Sequence, residues 1–254
     1  GAWGNIFPNW NFIMDGYYTS NLYARNFFGL GNETANNEDA LDIDFYRARL
    51  RQLRASAGIQ FHTLKIRALY ESFRAGEISD RLFTPENLGE DVFNNQHFAG
   101  GEVSLYYKRD DARDFPAKAI YMGLTAGYKF NLDLEENRFG YAHIKLGAQH
   151  KLVSSGSLAL ATEAAYRTNI GPNEVFFYHA PALGGANGLR GFRDERFSGN
   201  SYFYQSTDLR LRLKQFVTAV SPVTMGIYGG FDYGRVWAKN GNSDIWHTSQ
   251  GGGL

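Results

Sequence analysis

The chain has 254 residues with 26 Lys+Arg against 26 Asp+Glu, so no net charge points to nucleic acid. It contains no cysteine, which excludes disulfide scaffolds and cysteine-based zinc or redox centres. Aromatic residues reach 16%, more than a soluble domain needs, although the mean hydropathy is only −0.40.

Taken in chain order, the strand and turn signals predict roughly ten strands. They fall near residues 9–24, 42–61, 63–74, 98–109, 117–131, 139–153, 157–170, 174–182, 201–216 and 221–238, and an eleventh starts near Ile245. The period is two. In "YAHIKLGAQHK", Ala142, Ile144, Leu146 and Ala148 oppose Tyr141, His143, Lys145, Gln149 and Lys151. In "TDLRLRLK", Leu209, Leu211 and Leu213 oppose Asp208, Arg210, Arg212 and Lys214. Such alternation makes strands with one apolar and one polar face. Between Phe45 and Arg54 the phase breaks: Arg47, Arg49 and Arg51 share one face and Arg54 takes the other, which predicts a bulge or turn. The longest uncharged stretch, Gln215 to Phe231, is broken by Ser221-Pro222 and several glycines, so it is no membrane-spanning helix.

Two architectures accept these strands. A soluble sandwich packs the apolar faces together. A membrane barrel turns them to lipid and lines its lumen with charge. Strands of about 12–16 residues exceed the ordinary globular length. Aromatics such as "NWNF", "VFFY" and "SYFYQ" gather near predicted strand ends, where interfacial girdles belong. The expected fold is therefore all-β: a single domain over 1–254, an antiparallel transmembrane β-barrel of which roughly ten or eleven strands are present.

The segment "GGANGLRGFRDERFSG", Gly184 to Gly199, raises the question of a site. It lacks the G-K-[ST] ending of a phosphate loop, and no helical pattern follows. No G-x-S-x-G is present, and His143, His150, His179 and His247 are scattered, so no catalytic residue is expected. "EDALDIDF" offers Glu38, Asp39, Asp42 and Asp44 without the glycine and final Glu of a calcium loop, and no metal or cofactor is expected. "NET" at Asn32 matches a glycosylation sequon, and no functional meaning is given to it. Arg190 is the candidate that remains. Gly188 and Gly191 allow a tight bend with positive φ around it. In "GIYGGFDYGRVW", Tyr228, Gly230, Asp232 and Gly234 share the polar face. Gly230 and Gly234 clear space beside Asp232. A loop over about 183–200, folded into the lumen, would set Arg190 against Asp232 with Asp208 near.

"GLRGF" at Gly188 to Phe192, then "STDLRLRL", then "GGFDYGRVW", resembles the BamA-like outer-membrane assembly barrels, the bacterial surface-antigen superfamily, which includes two-partner-secretion transporters. The resemblance implies a barrel of about sixteen strands, truncated here at both ends. It implies a long extracellular loop folded into the lumen by an Arg-Gly-Phe tripeptide, here Arg190, Gly191 and Phe192. The loop arginine meets the acid of an F-x-D-x-G pattern, here Asp232 with Gly234, and Asp208 stands where the family has an acid on the intervening strand. Two departures stand out. The leading Phe falls at Gly230, with Phe231 on the lipid face, and Ala119 replaces a strand-entry glycine in "RDDARDFPAKA". The implied place is the bacterial outer membrane. The implied function is inserting β-barrel proteins or moving polypeptides across that membrane. The implied partners are outer-membrane lipid or lipopolysaccharide, unfolded β-barrel clients, and periplasmic modules on the same chain. A passive porin and a barrel anchoring a fused hydrolase are the alternatives.

Overall fold

The computed structural model describes residues 2–7, 9–21, 24–37, 44–111, 117–217 and 222–254. The strands are β1 (Ala2–Phe7), β2 (Trp10–Thr19), β3 (Ala24–Asn26), β4 (Arg47–Phe61), β5 (Leu64–Gly76), β6 (Gln96–Asp110), β7 (Lys118–Asn131), β8 (Phe139–Lys151), β9 (Leu158–Ile170), β10 (Ala182–Leu183), β11 (Phe197–Ser198), β12 (Ser201–Val217), β13 (Pro222–Trp237) and β14 (His247–Gly253). The helical turns among the described residues are Pro85–Leu88, Glu90–Phe93 and Phe177–His179. Among the described residues no helix is long and apolar enough to cross a membrane.

One antiparallel sheet holds twelve of these strands in the order β1-β2-β4-β5-β6-β7-β8-β9-β12-β13-β14, with β3 pairing β4 beyond the end of β2. Among the described residues β1 and β14 stay unpaired with each other, so the sheet does not close. Connections alternate in length. Short turns join β4 to β5 and β8 to β9, while 20–46, 77–95 and 171–200 are long excursions from the other strand ends. In outer-membrane barrels the long connections are extracellular and the short turns periplasmic.

The burial pattern is that of a barrel wall. Ile66, Val103, Ile144, Leu146, Leu160 and Leu209 lie exposed on the outward face, as lipid-facing residues do. The buried apolar residues lie between the inner face and the long excursions. One cluster joins Leu50, Phe73, Phe98 and Phe139 of the strands to Phe27, Phe83, Phe177 and Tyr178 of the loops. The other gathers Leu183, Leu189 and Phe197 of the 171–200 loop against Tyr202, Tyr204 and Val236.

Three expectations are corrected. Residues 174–182 do not form a wall strand: β9 pairs directly with β12, and "VFFYHAPAL" turns inward as a loop. Its residues Phe177 to Leu183 are all buried, so this run of apolar residues fills a core and does not alternate. Of the bulge or turn expected between Phe45 and Arg54, a turn is present over 44–46, just before β4, and no bulge follows it. β4 pairs with β5 in unbroken register from Arg49↔Gly76 to Phe61↔Leu64. Arg54 faces inward and bonds to Glu71, while Arg47, Arg49 and Arg51 continue the outward face that Leu53 to Phe61 form deeper down. The apparent phase break is a change of surroundings along one face, from water to lipid. Finally, the strand expected over 9–24 ends at Thr19, and its place beside β4 is taken by β3. A register shift between Arg212 and Lys214 interrupts the simple alternation in β12.

Candidate functional site

The excursion over 171–200 leaves β9, folds over the inner face and returns to β12, its neighbour. It closes on itself through β10 and β11, which pair Ala182↔Ser198 and Leu183↔Phe197. Gly188 takes φ +99, and a Cβ there would lie 2.6 Å from the Tyr204 ring. Glycine is thus required twice, for the bend and for the close approach. Gly191 does not adopt positive φ, contrary to the expectation. Its missing side chain matters because a Cβ would lie 2.8 Å from Ser249 Cβ.

This bend delivers Arg190 to the wall. Its Nε donates to Asp232 Oδ1 and Oδ2 at 3.0 and 2.8 Å, its Nη2 to Oδ1 at 2.7 Å, and its backbone N–H to Oδ2 at 3.0 Å. Nη2 also donates to Ser206 Oγ at 2.6 Å and forms an ion pair with Asp208 Oδ1 at 2.7 Å. Ser206 and Ser249 donate to Asp232 at 2.6 and 2.8 Å. Asp232 has no exposed surface, and its carboxylate is satisfied by donors from the loop, β12 and β14. Arg210 binds the other oxygen of Asp208, Oδ2, at 2.8 Å, so two cations face two acids and the group is neutral. Bonding to Asp232 raises the Arg190 guanidinium above its already high ordinary value and keeps it charged.

Glycines clear the path. A Cβ at Gly230 would lie 2.4 Å from Asp208 Oδ1 and 2.6 Å from Arg190 Nη1, and one at Gly251 would lie 2.6 Å from Arg190 Cδ. The glycine at 230 therefore belongs to the arginine, while Phe231 is exposed outward. At Gly234 a Cβ would meet the Phe203 carbonyl at 2.8 Å. Phe192 does not touch the ion pair. Its ring packs edge-on against Phe197 at 5.1 Å and His247 at 5.8 Å, anchoring the turn from the opposite side.

A second anchor was not foreseen from sequence. His179 Nε2 lies 3.0 Å from Glu71 Oε2 on β5, and Lys129 Nζ on β7 reaches the same oxygen at 2.6 Å. Complete burial, then the Lys129 charge, push the His179 imidazole down to about 3, so it is neutral. The first excursion adds a third hold. Asn32 exchanges two hydrogen bonds with the Val236 backbone at 2.7 and 2.9 Å, and Arg25 donates to the Tyr178 carbonyl at 2.8 Å and pairs with Glu195. The Asn32 amide is thereby buried and occupied. Asp44 bonds Arg47, while Glu38, Asp39 and Asp42 lie outside the described residues.

Beside the loop remains a cavity of about 620 Å³ lined by Arg54, Arg67, Glu71, Glu102, Lys129 and Arg167, among others. Arg67 pairs with Glu102, and Arg54 with Glu71. Arg167 has no acid bonded to it among the described residues.

An antiparallel wall with lipid-facing apolar residues, a charged inner face and a loop strapped inside it defines an outer-membrane β-barrel. Residues 121–254 match the family described as haemolysin secretion/activation protein ShlB/FhaC/HecB. The match covers more than half of the 254 residues, and the chain belongs to that family. Its place is the bacterial outer membrane. Among solved structures it is similar to BamA from Haemophilus ducreyi lacking POTRA domains 1–3, at 13% identity and a TM-score of 0.65. That likeness, one of fold, covers 96% of this chain and 56% of that one, so the chain spans little more than half of the BamA structure. No curated protein matches.

Proposed function

We propose that the chain forms the wall and the inner strap of a barrel that moves polypeptides across the outer membrane. The observation that carries this reading is the strap anchored at Arg190 beside an open, charge-lined cavity. A fixed loop narrows the lumen without filling it. Charged walls suit a hydrated polypeptide better than an apolar one, because they offer it replacement hydrogen bonds. The secretion activity named in the family description favours export. Insertion of β-barrel clients, the other activity the resemblance implies, is the competing outcome. The work is mechanical and electrostatic, with no covalent step.

The test uses the full-length protein in its own host with Arg190→Ala, Asp232→Ala and the double variant. Each single change should cut the polypeptide exported to the medium by about tenfold or more, because Arg190→Ala strands the buried Asp232 carboxylate and Asp232→Ala takes from Arg190 the main anchor of the strap. The double variant should be little worse than either single one. Levels of other outer-membrane barrels should hold. A fall in those barrels with unchanged export would assign insertion instead. Small-solute uptake that rises while export and barrel levels stay constant would leave only a channel.

A further inference from the structure

We propose that Arg49, Arg51 and Arg74 form a binding site for the phosphates of a lipopolysaccharide headgroup on the outside of the barrel. All three lie on the outward face. β4 buries Ala48, Leu50 and Gln52 and turns Arg47, Arg49 and Arg51 the other way. β5 places Arg74 directly opposite Arg51, in the same phase as Tyr70 and Ile66, both exposed.

Their depth is set by strand geometry. Arg51 and Phe61 mark the two ends of the apolar outward run of β4. Ten residues span ~33 Å along a strand, and a tilt of ~40° reduces this to ~25 Å, the height of the apolar band. The arginines therefore sit just beyond the hydrocarbon, past Tyr18 and Tyr70 at the aromatic level. The long excursions leave from this end, so the adjoining leaflet is the outer one.

The arginines have few internal partners, with Asp44 acting on Arg49 only at longer range. Arg49 and Arg74 make no hydrogen bond or ion pair among the described residues. Arg51 gives one donor to Asn95 Oδ1 at 2.6 Å. Arg47, by contrast, is held by Asp44 at 2.8 Å and is left out of the site. Like charges directly across a sheet repel, so the Arg51–Arg74 pair is unfavourable until an anion lies between them. Guanidinium forks bind phosphate oxygens in pairs, and the sugar-linked phosphates of the outer leaflet lie at this level. This site depends on the orientation of the barrel and not on what the barrel transports.

The test is lipid retention by the full-length protein, delipidated in zwitterionic detergent and followed by native mass spectrometry. The probes are diphosphorylated lipid A, dephosphorylated lipid A and inorganic phosphate. The wild type should hold diphosphorylated lipid A at least tenfold more tightly than the variant carrying Arg49→Gln, Arg51→Gln and Arg74→Gln. It should hold dephosphorylated lipid A no better than that variant does, and inorganic phosphate alone should not bind. Arg109→Gln, which removes an exposed arginine from the far end of β6, should bind as wild type. Equal retention of the two lipids by wild type would overturn the site, as would unchanged retention in a triple variant that keeps its folded gel mobility. Saturable binding of inorganic phosphate as tight as that of lipid A would overturn the lipid as occupant. If the triple variant fails to fold, Arg51→Gln and Arg74→Gln alone decide: each should weaken retention severalfold, and no change in either rejects the proposal.

Discussion

Asp232 accepts from four groups on three segments: the Arg190 guanidinium and backbone N–H, Ser206 and Ser249. Removing Arg190 would leave a carboxylate buried without its counter-charge, at a cost of about 3–5 kcal/mol, more than the pair's own net worth. The two glycines in sequence on β13 allow a sharper test. Gly230→Ala would push a methyl group into Asp208 and Arg190, whereas a Cβ at Gly229 meets nothing within 4 Å. Gly230→Ala should therefore release the strap and expose Arg193 and Arg196 to trypsin on whole cells, while Gly229→Ala stays resistant. Equal resistance of the two variants would show that the arginine does not need the gap. Parity alone placed Asp232, Gly230 and Asp208 on the inner face, because a strict period of two leaves no freedom. Ser206 and Ser249 carried no signal, since serine is common in strands. Asn32 and Val236, 204 residues apart, meet only through the folded topology.

At the scale of elements, period two recovered the wall and misread the loop. "VFFYHAPAL" has the composition of a strand, yet its neighbours β9 and β12 already pair with each other and leave it no edge to join. A short apolar run is ambiguous for this reason: a buried loop and a buried strand look alike in sequence. The arginines of β4 misled in the opposite direction, because a charged outward face is natural above the lipid and forbidden within it. The inward run also carries a pH dependence. His179, held down to about 3 by burial and Lys129, stays neutral in the folded barrel, while the unfolded chain takes up a proton below ~6.5. The folded pKa is the lower one, so the contribution is complete above ~6.5 and is lost as pH falls toward 3, at up to ~1.4 kcal/mol per pH unit. His179→Gln should remove that slope. Urea midpoints at pH 7 and pH 5 should then differ less in the variant than in wild type, and an identical drop in both would contradict a neutral buried imidazole.

At the scale of the whole molecule, the two anchors sit far apart on the wall. His179 is fastened to β5 and Arg190 to β13, and five strands lie between them in the sheet. The loop is a chord drawn across an arc. In a ring of strands the number of strands fixes the circumference but leaves the ring free to be round or oval. A chord of set length removes that freedom, as a string holds a bow. Because the chain has no cysteine, Ser72→Cys on β5 and Thr248→Cys on β14 can be spin-labelled selectively wherever the full-length protein also lacks cysteine. Distances measured by pulsed electron paramagnetic resonance should lengthen or broaden in Asp232→Ala and in His179→Ala, and should change little further when both are combined. An unaltered distribution would mean that strand pairing alone holds the shape. Otherwise the curvature of the wall between β5 and β13 is set by side-chain knots at its two ends as well as by the strands.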